Sequence, residues 1–119
     1  EVIKFCKSQF KKNGSFYRAS TPNYETDFII MSGTFNFFPN NNFLEWNSYF
    51  QNSLKLMWAK VSRAMIFNLQ ISDNSRITPE GIVYASTFQV ENFCVNTFGK
   101  TRVRSNPRLP KDQTFTVIK

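Results

Sequence analysis

Asp27-Phe28-Ile29-Ile30-Met31-Ser32-Gly33-Thr34-Phe35-Asn36 is the stretch from which the rest of the chain is read. Phe28 to Met31 are large apolar residues in an unbroken run, too short to span a membrane. They do not alternate with polar residues, as a strand with one wet face would. A charge opens the run and Ser-Gly-Thr closes it, which predicts a short strand covered on both faces, as in the middle of a parallel sheet. Ligands of open α/β sheets bind beyond the carboxyl ends of such strands, where Ser32 to Asn36 fall. Gly33 lets backbone approach a ligand closely, and Ser32, Thr34 and Asn36 supply donors and acceptors. The same residues also suit an ordinary strand-to-helix loop in which Gly turns the chain.

Downstream, Phe37-Phe38-Pro39-Asn40-Asn41-Asn42 reads as a loop, and Asn42 with Glu45 forms a variant capping box. Phe43, Trp46, Phe50, Leu54, Met57, Trp58 and Val61 then recur at helical spacing. Arg63-Ala64-Met65-Ile66-Phe67-Asn68 repeats the opening pattern, so a second buried strand is expected, parallel to the first across a helical crossover. Asn68 ends that strand on the same edge, where it can face the same crevice or satisfy loop backbone. Ser72 to Arg76 reads as a loop, Thr78-Pro79-Glu80 as a short helical turn, and Ile82 to Ala85 is undecided by pattern. Ser86 with Gln89 caps a helix whose face is Val90, Phe93, Cys94 and Phe98, stopped by Gly99. Lys100 to Arg104 alternates as an exposed strand, and Thr114 to Ile118 returns antiparallel to it across a Pro-containing turn.

Upstream, Val2, Ile3, Cys6 and Phe10 form one helical face, with Lys4, Lys7, Lys11 and Lys12 elsewhere and Asn13-Gly14 as the stop. Ser15 to Ser20 reads as a short strand and Thr21-Pro22-Asn23 as a turn. The predicted fold class is α/β, a Rossmann-like, mostly parallel sheet with a C-terminal antiparallel hairpin. Such a domain normally begins with a strand, so truncation at the amino end is expected.

A chain of 119 residues, 41% hydrophobic with 14 Phe, suits one folded domain over residues 1–119. The absence of His removes the commonest general base and transition-metal ligand. With only two distant cysteines, Cys6 and Cys94, no zinc site is expected; both fall in apolar helical patterns and read as buried reduced thiols. Nothing requires an oxidising compartment, and a cytoplasmic location is the default expectation. The carboxylates are scattered, and no Gly-x-Gly cradle is present. A net charge of +7, with 15 Lys+Arg against 8 Asp+Glu, permits an acidic partner. Lys100, Arg102, Arg104, Arg108 and Lys111 cluster near the C-terminus, yet most aromatics fall at core positions instead of interleaving with them. A nucleic-acid-binding module is therefore the alternative, not the favoured reading.

Ser-Gly-Thr-Phe-Asn after a buried strand opening Asp-Phe-Ile-Ile resembles a group of class I S-adenosylmethionine-dependent methyltransferases, which carry Asp-Tyr-apolar and then Ser-Gly-Ile-Phe-Asn. Trp46 early in the next helix, Phe67-Asn68, Tyr84 before a helix, and the closing Phe115-Thr116-Val117-Ile118-Lys119 extend the likeness over nearly the whole chain. The resemblance implies the carboxyl part of that fold, beginning at the helix after its second strand. Asp27 to Met31 would be its fourth strand and Arg63 to Phe67 its fifth. Thr101 to Arg104 would be the sixth, and Thr114 to Ile118 the inserted antiparallel seventh. The first strand, its Gly-rich cofactor loop and the acidic residue that holds the ribose would be missing, so this chain alone is expected to be inactive.

The implied cofactor is S-adenosylmethionine. Met31, Ser32, Gly33, Thr34, Phe35 and Asn36 would lie beside its methionine part and sulfonium. Ser20 and Thr21 stand where relatives often place an acidic residue against the adenine. Phe37, Phe38 and Asn68 would line the side of an unidentified methyl acceptor, and no catalytic base can be named. Ala85-Ser86-Thr87 stands where relatives tend to have Asp-Pro. A non-catalytic subunit that completes its sheet through a partner is the remaining reading.

Overall fold

Trp46, Phe50 and Leu54 follow one another at four-residue steps and are all buried, which is why the chain is helical from Phe43–Trp58 (α2). The Asn42 side chain accepts a hydrogen bond from the Glu45 amide (3.1 Å), half of the predicted capping box. The computed structural model describes residues 1–10, 12 and 14–119; Lys11, on the basic side of the first predicted helix, and Asn13, at its predicted stop, lie outside the described residues. Before α2 come the helix Val2–Gln9 (α1) and the strand Thr26–Met31 (β1). After it come Val61–Gln70 (β2), Arg76–Ile77 (β3), Val83–Tyr84 (β4), the helix Thr87–Phe98 (α3), Thr101–Asn106 (β5) and Leu109–Ile118 (β6). β1 and β2 run parallel, in register from Phe28 opposite Ala64 to Met31 opposite Phe67, so α2 is the predicted crossover.

The expectation of a mostly parallel sheet is overturned. The strand order is β1-β2-β6-β5, and β6 is antiparallel to both β2 and β5, so only the β1·β2 pairing is parallel. The cause is the tight turn between Asn106 and Leu109. A connection that short can only return the chain antiparallel, and β6 then pairs with β2 from Ala64 opposite Ile118 to Gln70 opposite Asp112. The hairpin does not hang at the end of a parallel sheet; its second strand lies inside. The result is an α/β domain in which helices alternate with a mixed sheet, a generic Rossmann-like layering.

α2 and α3 cover one face of this sheet. Their Trp46, Phe50, Leu54, Val90 and Cys94 share a core with Met65, Phe67, Leu69, Phe115 and Val117. Trp46 stacks on Phe50 with ring centroids 5.0 Å apart, and Phe67 on Phe115 at 5.2 Å. The other face is largely bare, which corrects the expectation that β1 is covered twice. Ile29 and Met31 point into the core, whereas Phe28 is 52% and Ile30 73% exposed. Successive side chains of a strand point to opposite faces, and here only one face has a helical layer over it.

α1 buries none of its residues, so its apolar stripe does not reach the core. Residues 15–20 are irregular where a strand was expected, whereas the undecided Ile82 to Ala85 contains β4, paired antiparallel with β3. Ser86 makes no side-chain cap on α3. Ser75 takes the place of the predicted box: its Oγ accepts from the Ser86 amide (3.0 Å) and donates to Gln89 Oε1 (3.0 Å). Both cysteines are free; Cys94 is buried as expected, whereas Cys6 is only partly so. Burial, helped by nearby Glu91, pushes the Cys94 thiol up to about 12. Among the described residues no helix is long and apolar enough to cross a membrane.

Candidate functional site

The loop after β1 is tied down by the strands beside it. Gly33 turns the chain at φ 67°, and its amide donates to Asn68 Oδ1 at 2.7 Å. Asn68 Nδ2 in turn donates to Asp112 Oδ2 at 2.9 Å, so one carboxamide bridges the loop, β2 and β6. Asn36 Oδ1 accepts from the Gln70 amide (3.2 Å), and the Asn36 carbonyl accepts from the Val83 amide (3.0 Å). Between them Phe35 turns inward. Its ring meets Phe50 edge-on at 5.1 Å, and its carbonyl accepts from Trp46 Nε1 at 3.0 Å.

Phe37 and Phe38 belong to a second junction. The Phe38 amide donates to the Gly81 carbonyl (2.8 Å), and its ring stacks on Tyr49 with centroids 6.2 Å apart. A Cβ on Gly81 would lie 2.8 Å from Phe37 Cε2 and 2.9 Å from the Phe38 carbonyl, and Gly81 has φ 88°; only glycine fits there. The neighbouring Glu80 carboxyl is held below its ordinary range, first by its own backbone amide and then by the Thr78 hydroxyl.

Two shallow hollows flank the carboxyl end of β1. One, of about 190 Å³, lies over β1 and β2 and is lined by Ile30, Met31, Ser32, Ile66, Phe67, Asn68 and Thr114. The other, of about 230 Å³, lies on the outer edge of β1, where Ser20, Thr21 and Pro22 meet Ile30, Met31 and Met57. The structure thus brings Met31, Ser32 and Asn68 together in the first and Ser20, Thr21 and Met31 in the second. Ser32, Gly33 and Thr34 are exposed, whereas Met31 and Phe35 are buried. Asn36 is half-buried with its carboxamide oxygen engaged. Phe37 and Phe38 line neither hollow.

Thr114 and Asp112 were missed by the sequence reading. Thr114 faces Asn68 and Asp112 faces Gln70 only because β6 pairs with β2. A larger hollow of about 370 Å³ opens between the first turns of α2 and α3, near Phe43, Trp46, Gln51, Gln89 and Phe93, and no titratable group lines it.

Among the described residues no cluster of His, Cys, Asp and Glu could hold a metal. The fit to S-adenosylmethionine is partial. Each of the two hollows beside β1 is below the roughly 300–1,000 Å³ of small-molecule sites, and the Gly33 amide is already engaged by Asn68. What remains for a ligand is the Ser32 hydroxyl in the first hollow and those of Ser20 and Thr21 in the second, while Thr34 is exposed but lines neither. Compared with protein-family models, curated proteins and solved structures, the chain has no match.

Proposed function

We propose that this chain forms the carboxyl-terminal part of a class I S-adenosylmethionine-dependent methyltransferase domain. The observation that carries the reading is the place of β6, reversed and seated between β2 and β5. That is the position the sequence resemblance assigns to an inserted antiparallel seventh strand. Two further features support it. Among the described residues the outer edge of β1 has no strand beside it, so there is room for further strands. The hollows either side of β1 are each too small to enclose a whole cofactor, as expected of a site completed by other residues.

The chemistry asks little of acid or base. The bound cofactor would supply an already activated methyl sulfonium, so the protein's part is chiefly alignment and exclusion of water. Ser32 and Thr34 would face the methionine end, and Ser20 and Thr21 the adenine. Asn68 acts as a positioning residue, fixing the Gly33 turn through its carboxamide and thereby setting where the two hydroxyls point.

Calorimetric titration of S-adenosylhomocysteine tests this reading, using both the chain alone and the longest natural reading frame that contains it. Binding by the reading frame, weakened by Thr34→Arg, is expected, with little or none by the 119 residues alone. Failure of both to bind would overturn the assignment.

A further inference from the structure

The sheet face turned away from α2 and α3 carries a pattern that methyl transfer as described leaves unused. Register sets Ile30, Ile66, Thr116 and Arg102 side by side across the strands, and Asn68, Thr114 and Arg104 side by side in the next row. Directly opposed residues point to the same face. Both rows start at the hollow over β1 and β2, whose lining includes Ile30, Ile66, Asn68 and Thr114, and both end on an arginine of β5. Neighbouring strands lie about 4.8 Å apart, so each arginine is anchored roughly 10 Å from its β2 counterpart with only a threonine between.

Both arginines are exposed, and neither has a carboxylate within salt-bridge distance; the ion pair found among the described residues joins Arg63 to Asp27 at 3.8 Å. The acidic group one row beyond is Asp112, whose Oδ2 accepts from Asn68. Charges on an edge strand often serve only to discourage pairing with other sheets. This pair differs in being joined to a hollow by two rows of hydrogen-bonding and apolar side chains.

We propose that Arg102 and Arg104 bind a phosphate of the methyl acceptor, and that the acceptor is a nucleotide within a single-stranded nucleic acid. Planar guanidinium groups suit bidentate phosphate recognition. The Thr114 and Thr116 hydroxyls lie where a sugar would rest, and Ile30 and Ile66 offer a flat apolar floor for a base. Only an unpaired base can lie on such a floor, which favours a single strand over a duplex. Lys100 just before β5 and Arg108 in the turn after it continue the line of cations, which favours a polymer with repeated charges over a free nucleotide. The word acceptor rests on the methyltransferase reading; phosphate binding by the two arginines does not.

The test is fluorescence anisotropy of a labelled single-stranded RNA oligonucleotide with the full chain. Competitors are a matched duplex, a nucleoside monophosphate, poly-glutamate and phosphatidylserine vesicles. Binding is expected to weaken as salt rises, with a log–log slope near −0.7 for each phosphate engaged. Arg102→Glu with Arg104→Glu should weaken it by about tenfold or more. Lys4→Glu with Lys7→Glu, an equal change of charge on α1, should weaken it by less than about threefold. Arg102→Gln with Arg104→Gln gives the milder variant, and circular dichroism establishes that all are folded. Equal losses in the two reversed pairs, no binding at all, or stronger competition by duplex, poly-glutamate or vesicles than by single strand would each overturn the proposal. RNA binding by a protein that takes no S-adenosylhomocysteine would remove the methyltransferase reading and leave the phosphate site. The opposite result would do the reverse.

Discussion

Replacing Asn68 by Ala removes both ends of the bridge that holds the loop after β1. The bond from the Gly33 amide (2.7 Å) is worth about 1 kcal/mol net, and the bond to the ionised Asp112 (2.9 Å) about 1.5–3 kcal/mol. Asn68 is only half-buried, so water recovers part of this, and a loss of about 2–3 kcal/mol is expected. A domain of this length has roughly 6–18 kcal/mol in total, so the variant should fold but melt about 10 °C lower. Urea denaturation measures the loss, and hydrogen exchange at the Gly33 amide locates it. Asn68→Asp keeps an acceptor for Gly33 but loses the donor to Asp112 and sets a second carboxylate against it, so it should restore little of the loss. Asn68→Ala within about 0.5 kcal/mol of the parent, or an equally protected Gly33 amide, would refute the claim that Asn68 sets this loop.

Gly81→Ala should cost about 2–4 kcal/mol, from a left-handed backbone plus contact with Phe37 and Phe38; Gly33→Ala, with open space around its Cβ, should cost about 1 kcal/mol. Equal denaturation midpoints for the two would contradict the described junction. Iodoacetamide at pH 8 should label Cys6 in the native chain and reach Cys94 only after unfolding, because burial keeps the Cys94 thiol protonated; mass spectrometry of the native digest decides this. Ile30→Ser should change the stability of the isolated chain by less than about 0.5 kcal/mol. A loss above about 1 kcal/mol would mean that the face is covered in solution.

Most of what the sequence made legible is local. Trp46, Phe50 and Leu54 announce α2 through their spacing, and Asn42 announces its start. The apolar runs at Phe28 to Met31 and Ala64 to Phe67 announce strands, and the helix between them announces their parallel pairing. What escaped is what depends on distant neighbours. An unbroken apolar run does not say whether both faces are covered, and Phe28 and Ile30 turned out bare because no layer lies over them. The mostly parallel sheet failed for the same kind of reason: the turn at Asn106 to Leu109 predicts a hairpin but not which of its strands lies inside. The resemblance marked that strand as an inserted antiparallel one but pattern alone did not, so the neighbours it brings to Asn68, Thr114 and Asp112, went unnamed. Ser32, Gly33 and Thr34, offered to a ligand from pattern, are exposed, whereas Phe35 and Asn36 were offered likewise although the structure engages the ring of one and the carboxamide of the other in packing and bonding.

β6, the last strand described, is an interior one. Until Leu109–Ile118 is available, β2 and β5 have no shared neighbour, and Phe67 and Leu69 lack the partners that close the core over them. Cutting the chain within Leu109–Ile118 therefore disturbs the middle of the molecule and not its rim. Lys119 adds to this, since its ammonium donates to the Val61 carbonyl at 2.8 Å and clasps the start of β2 from just beyond β6.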